Sequence, residues 1–221
     1  MQIDETRVIV IHNGYDTDCD IPKNLLKQDE ARKKYSLGEA PYIVYLGLIK
    51  EHKNTARLIQ AFKQLIDLGY TGNLLLIGKE DLRYSDARDK VRAHSLQGRV
   101  FFLGHVESKE RITLLQGAEL YTMPSLYEGF GIPILEAMAS EVPVVCSKTT
   151  SLPEIAGDAA RYFHPLRPDD IARVMKEVLA SSSLQSQMIA LGKEQVKKFS
   201  WEKMANETFE VYTKILGNTS K

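Results

Sequence analysis

A chain of 221 residues can bury one sizeable core, and 29 lysines plus arginines against 29 aspartates plus glutamates leave it formally neutral. That balance gives no global field for tracking nucleic acid or an anionic membrane. Two cysteines exclude a disulfide framework, and with no signal peptide and no apolar run of spanning length the expected location is cytoplasmic.

Short apolar runs alternate with amphipathic stretches along the chain. Strands are predicted at residues 8–11, 42–46, 74–77, 100–103, 120–123 and 142–146, with a weaker one at 160–163. Their near-continuous apolar character predicts burial on both faces of a parallel sheet covered by helices, an α/β fold. Cys146 ends one such run and reads as a buried small hydrophobe, whereas Cys19 falls in a polar loop.

The first strong helix takes Asn54 as its N-cap, buries Leu58, Ile59, Phe62, Leu65 and Ile66, and stops at Gly69. Further helices are predicted over 109–116, 132–139, 169–180, 184–197 and 201–216. Ser151 and Glu154 have the spacing of a capping box, and Phe199 with Met204 that of a hydrophobic staple around N-cap Ser200. Residues 180–183 and 217–221 are the loose segments. No internal repeat or linker divides the chain, so residues 1–221 read as one domain, and a strand beginning almost at Met1 leaves no room for a preceding one.

The chemistry concentrates in Pro124-Ser125-Leu126-Tyr127-Glu128-Gly129-Phe130-Gly131-Ile132-Pro133-Ile134-Leu135-Glu136-Ala137. A strand leads into a glycine-bracketed turn, and Pro133 stands where a helix's first turn tolerates proline. The amides of Phe130, Gly131 and Ile132 then have no intrahelical partner and face outward at the positive end of a helix, an arrangement suited to phosphate. Glu136, about one turn further in, is placed to accept hydrogen bonds from a vicinal diol such as a ribose. A Glu136 turned to the interior would count against that role. Lys53, just before a helix start, brings an ammonium to a second anion-favouring helix mouth, with Lys50 and His52 in the same loop.

Other chemistries fit less well. Eight helical steps between Glu128 and Glu136 span about 12 Å, while glycosidase carboxylates stand ~5–9.5 Å apart. His12, His94 and His164 lack ligand spacing, so no bound metal is expected. There is no Ser-His-Asp set, no cysteine nucleophile and no P-loop spacing.

These segments resemble the signature of the family 4 retaining glycosyltransferases. The match comprises Ser125-X-X-Glu128-Gly129-Phe130-Gly131 with Glu136-Ala137, Asn13-Gly14, Gly47, His52-Lys53-Asn54, Gly104-His105-Val106, Ser151-Leu152-Pro153-Glu154-Ile155 and Phe199-Ser200-Trp201. It covers the family's C-terminal, donor-binding half. The resemblance implies one half of a GT-B fold, a Rossmann-like doubly wound parallel sheet flanked by helices. Residues 1–14 would form the crossover strand, and the helix over 200–216 would return to a missing N-terminal acceptor domain. It further implies metal-independent, retaining hexosyl transfer from a nucleoside-diphosphate sugar, the nucleotides UDP or GDP and mannose among the candidates, to a glycan or lipid-linked acceptor. No cofactor is implied beyond the donor itself, and in the full enzyme the location could extend to the inner membrane surface.

By the same resemblance Lys53 grips the diphosphate and stabilises it as it leaves, assisted by Lys50 and the amides of Phe130, Gly131 and Ile132. Glu128, with Gly129, contacts and orients the transferred sugar. Glu136 holds the ribose, and His105 and Val106 hold the base. Many family members carry arginine directly after the glycine matching Gly47, where this chain has Leu48, so a bidentate phosphate contact is missing. The isolated domain is expected to bind nucleotide and transfer sugar poorly. Two other readings stand beside this one: a non-catalytic nucleotide-binding or interaction module, and a fragment of a GT-B epimerase or phosphorylase.

Overall fold

The computed structural model describes residues 8–20, 22–81 and 83–218. Six strands form one sheet: β1 (Tyr42–Leu46), β2 (Asn73–Ile77), β3 (Val100–Gly104), β4 (Leu120–Met123), β5 (Val144–Ser147) and β6 (Ala160–Phe163). Their spatial order is β3-β2-β1-β4-β5-β6, and every pairing is parallel. The chain therefore builds outward from β1 in one direction, returns, and builds outward from β4 in the other. The seam between β1 and β4 is a topological switch point, where open α/β sheets bind ligands outside the strand carboxyl ends.

Nine helices flank the sheet among the described residues: α1 (Leu25–Lys34), α2 (Thr55–Asp67), α3 (Asp86–Ala93), α4 (Ser108–Gln116), α5 (Ile132–Ala139), α6 (Leu152–Ala156), α7 (Pro168–Leu179), α8 (Ser182–Val196) and α9 (Trp201–Asn218). Alternate residues of β1 serve the two faces. Tyr42, Val44 and Leu46 join a core with α1, α4, α5 and α6, while Ile43 and Tyr45 join one with α2, α3 and α7. This is why all five residues of β1 are apolar and buried. Each buried Leu or Ile contributes ~1.5–3 kcal/mol against leaving it in water. Cys146 is buried as expected.

Several local expectations fail for identifiable reasons. Residues 8–11 form no strand, and Val8, Ile9 and Val10 are more than half exposed. An apolar run becomes a strand only where a neighbour pairs its backbone groups, and no described strand lies beside it. The expected strand start at Met1 and the tail from 219 lie outside the described residues. Residues 180–183 are a tight connection, in which the Ser181 hydroxyl caps α8 by accepting from the Leu184 amide at 3.2 Å. α9 continues to Asn218, past the expected loose end. Cys19 lies in no exposed loop: a short 3₁₀ turn at Thr17–Asp20 buries it completely. α1 and α3 form without having been expected, while α6 starts where the Ser151–Glu154 spacing placed a helix start. α1 buries only Ala31, so its sequence carries little apolar periodicity.

Asn54 begins α2 as expected, though by an unexpected geometry. It occupies the N-cap position of α2, but at φ 60° its side chain makes no cap hydrogen bond. Its Nδ2 instead donates to the Pro124 carbonyl at 2.9 Å and the Pro165 carbonyl at 2.7 Å. Asparagine tolerates this left-handed conformation better than most residues. The side chain thus fastens the loop after β1 to the loops after β4 and β6.

Candidate active site at the sheet's switch point

The loops after β1 and β4 meet at the seam. The Leu126 amide donates to the His52 carbonyl at 2.8 Å, beside the Asn54 fastening. This brings Lys53 onto Glu128, with Nζ to Oε1 at 2.6 Å and both side chains mostly buried, 18% and 12% exposed. The residues are 75 positions apart, and the topology alone makes them neighbours.

Glu128 is held from three further directions. The buried Ser125 hydroxyl donates to its Oε1 at 2.6 Å, and its amide donates to Thr150 Oγ1 at 3.1 Å. Ser151 Oγ lies 3.1 Å from the Glu128 carbonyl and 3.0 Å from the Phe130 carbonyl, bridging the glycine turn. The expected capping box is therefore absent. Ser151 serves the turn, and Glu154 accepts from His12 Nε2 at 2.7 Å. Thr150 adopts φ 49°, a strained conformation for a β-branched residue and of a kind that clusters at functional sites.

The turn ends at Gly131, with φ 105°, at the N-cap of α5. That φ favours glycine, and a Cβ there would also come within 2.9 Å of Leu152 Cδ2, forcing the end of that side chain to shift. Pro133 sits in the first turn as expected. The amides of Phe130, Gly131 and Ile132 find no acceptor among the described residues. The Phe130 ring leans on His12 and Phe199, with centroids 6.0 and 5.9 Å away. This contact fixes one side of the turn.

Glu136 is nearly buried, 6% exposed, and it is not a free acceptor. Its Oε2 receives Arg111 Nη1 at 2.5 Å, and Arg111 reaches solvent with 22% of its side chain. The carboxylate is therefore buried against the Arg111 guanidinium and does not stand open as the sequence suggested, which counts against a freely exposed ribose acceptor. Burial opposes the charge of Arg111, but the hydrogen bond and charge of Glu136, with Cys19 and Asp16 nearby, raise its pKa overall. Burial first, and then the Glu136 charge, push the Cys19 thiol up to about 12.

The remaining expected residues are placed unevenly. The Lys50 carbonyl accepts from the Lys53 amide at 3.1 Å, but among the described residues its side chain makes no hydrogen bond or ion pair with the Lys53–Glu128 pair. Its charge acts on Asp81, whose carboxyl Arg83 holds down to about 2, with Lys50 a lesser cause. His105 is exposed, with Nε2 3.9 Å from Glu107 Oε1. Val106 is buried in the core. Leu48 is 44% exposed. Ser125, Thr150, Ser151 and Arg111 were not expected as site residues. Ser125 alone had a local signal, its spacing of three from Glu128.

The sequence profile described as "Glycosyl transferases group 1" matches residues 27–195, well over half of the chain. The chain belongs to the group 1 glycosyl transferases. It is 34% identical over 193 residues to the O-antigen chain mannosyltransferase B of Escherichia coli, covering 87% of this chain and 51% of that protein. The C-terminal domain of a group 1 glycosyl transferase, LpcC, from Francisella tularensis superposes with a TM-score of 0.72 at 25% identity, over 84% of this chain and 97% of that one. The Anabaena HepE protein, solved with UDP and glucose, shares the fold with a TM-score of 0.83 at 19% identity, over 93% of this chain and 57% of that one. The chain spans about half the length of the mannosyltransferase it matches. Among the described residues no helix is long and apolar enough to cross a membrane, and no group of three or more His, Cys, Asp or Glu side chains is placed to hold a metal ion.

Proposed function

We propose that this group 1 glycosyl transferase domain is the C-terminal, donor-binding half of a family 4 GT-B enzyme. It binds a nucleoside-diphosphate sugar and serves retaining, metal-independent hexosyl transfer. The observation that carries the reading is the Lys53–Glu128 pair at the switch point, beside the unpaired amides of Phe130–Ile132. Lys53 and those amides supply positive potential where a departing diphosphate develops charge, often the largest single contribution to catalysis. Glu128, fixed by Lys53 and Ser125, orients the sugar. Glu136 receives the ribose through the carboxylate oxygen that Arg111 leaves open. The backbone of His105 and Val106 faces the base, and Lys50 adds a more distant charge.

The similarity to a mannosyltransferase makes GDP-mannose the first donor to try, with a glycan or lipid-linked acceptor. We place that acceptor on an N-terminal half that packs against residues 8–10 and α9, whose Phe209 and Tyr212 are 71% and 62% exposed. The full enzyme would then work in the cytoplasm, at the inner membrane surface where its acceptor is lipid-linked. The uncharged Leu48 favours a second reading, a non-catalytic nucleotide-binding module.

Titration calorimetry of the full chain with GDP, UDP and GDP-mannose tests the proposal. At least one is expected to bind, and Glu136→Ala is expected to weaken binding about tenfold or more, since a charge-assisted contact is worth ~1.5–3 kcal/mol. Failure to bind any of the three refutes the donor reading. Efficient sugar transfer by these 221 residues alone refutes the need for a second half.

A further inference from the structure

The guanidinium over Glu136 has no place in the resemblance that carries the other site residues. Arg111 stands in the fourth position of α4, the helix that follows the His105–Val106 loop, and Glu136 in the fifth position of α5. Both helices begin at the sheet's carboxyl edge, on either side of the turn Thr17–Asp20. A carboxylate as buried as Glu136 requires a counter-charge or a set of donors. Arg111 supplies one donor, to Oε2 alone, and among the described residues Oε1 accepts no hydrogen bond.

The Arg111 Nη2 lies 3.5 Å from Ser108 Oγ, which is 3.4 Å from Asp16 Oδ2, long and exposed contacts that tether its second arm only weakly. The planar guanidinium directs its Nη1 donor at Oε2 alone, a more directional contact than a freely rotating lysine ammonium would make.

We infer that Arg111 is a positioning residue for the ribose subsite, holding Glu136 Oε2 so that Oε1 is left to accept from the vicinal diol of a nucleotide. This rests on the nucleotide-binding reading above. A fixed acceptor favours hydroxyl-bearing ligands, because ligands lacking the hydroxyls leave its remaining lone pairs unmatched.

The test compares GDP and UDP with their 2′,3′-dideoxy counterparts, by calorimetry on the full chain, for wild type, Arg111→Met and Arg111→Lys. Wild type is expected to prefer the ribonucleotide about tenfold or more, the scale of one charge-assisted hydrogen bond. In Arg111→Met the preference is expected to fall to about twofold or less, and in Arg111→Lys to stand between the two, since charge is retained but the fork is lost. The ratio of affinities separates positioning from general weakening, because a purely structural role lowers both affinities together. An Arg111→Met protein with the wild-type ratio overturns the inference. If Arg111→Met does not fold, an unchanged ratio in Arg111→Lys overturns it in the same way. A wild type that binds no nucleoside diphosphate overturns the donor reading itself, and one that binds both forms equally removes the diol role of Glu136. These two failures appear in the wild-type measurements and so stand apart from a failure of Arg111.

Discussion

The carboxyl edge of the sheet and the exposed apolar residues of segment 8–10 and of α9 follow opposite principles. At the edge, Asn54 and Glu128 have polar partners from segments far apart in sequence, and Ser125 adds a local one to Glu128. By contrast, Val8, Ile9, Val10, Phe209 and Tyr212 stand more than half exposed. Convergent hydrogen bonds fix directions, as chemistry at a bound ligand requires. Apolar side chains on a helix face fix no direction and gain only when something covers them. One region is complete within the chain, and the other gains stability only through burial from outside.

The largest expected effect breaks the first region. Asn54→Ala strands the Pro124 and Pro165 carbonyls and puts alanine at φ 60°, so urea unfolding should show a loss of about 3 kcal/mol. Lys53→Met should cost about 1–2 kcal/mol, less than for a fully buried pair because water reaches part of both side chains. It should also weaken nucleoside-diphosphate binding at least tenfold. Adding Glu128→Gln should restore much of the stability in the same urea series and none of the binding.

A third prediction uses pH. The Cys19 thiol, held up to about 12 beneath the edge, stays protonated in the folded chain. Above the unfolded thiol value of ~8.5 the unfolded chain binds fewer protons than the native one. The Cys19 contribution is therefore complete below that value. It declines by up to ~1.4 kcal/mol per pH unit as pH rises toward the folded value. Urea midpoints from pH 7.5 to 10 should fall less steeply for Cys19→Ala. The smallest effect sharpens the second region: Phe209→Asp or Tyr212→Asp should shift stability by less than about 0.5 kcal/mol while reducing self-association in light scattering. A large destabilisation there would mean that α9 is packed within the chain after all.

Strands β1 to β6 were legible because a sheet covered on both faces demands apolar runs, and the runs at 42–46, 74–77 and 120–123 have no other use. The run at 8–11 looks the same on paper, and periodicity cannot tell a paired strand from an apolar strip awaiting cover. The Lys53 loop and the Glu128–Ile132 turn stood out in the sequence because each has a local signature, a helix start or a glycine turn. Asn54 was placed correctly at the start of α2, but the work of its side chain was not legible because its partners lie 70 and 111 positions away. Arg111 was invisible for the same reason, since only the fold brings the start of α4 to Glu136. Cys19 looked polar by its neighbours, though its burial is set by α4 and α5 packing on the turn at Thr17–Asp20.

The 2.6 Å contact between Lys53 and Glu128 has a bearing on selectivity. An ammonium already matched by a carboxylate is a poor trap for stray inorganic anions, which can approach it only by contending with a fixed negative neighbour. A molecule that brings an anion for the lysine and hydroxyl protons for the glutamate engages both groups at once. Neutral pairing of this kind works as a filter, discounting small abundant ions in favour of larger solutes that carry both features together.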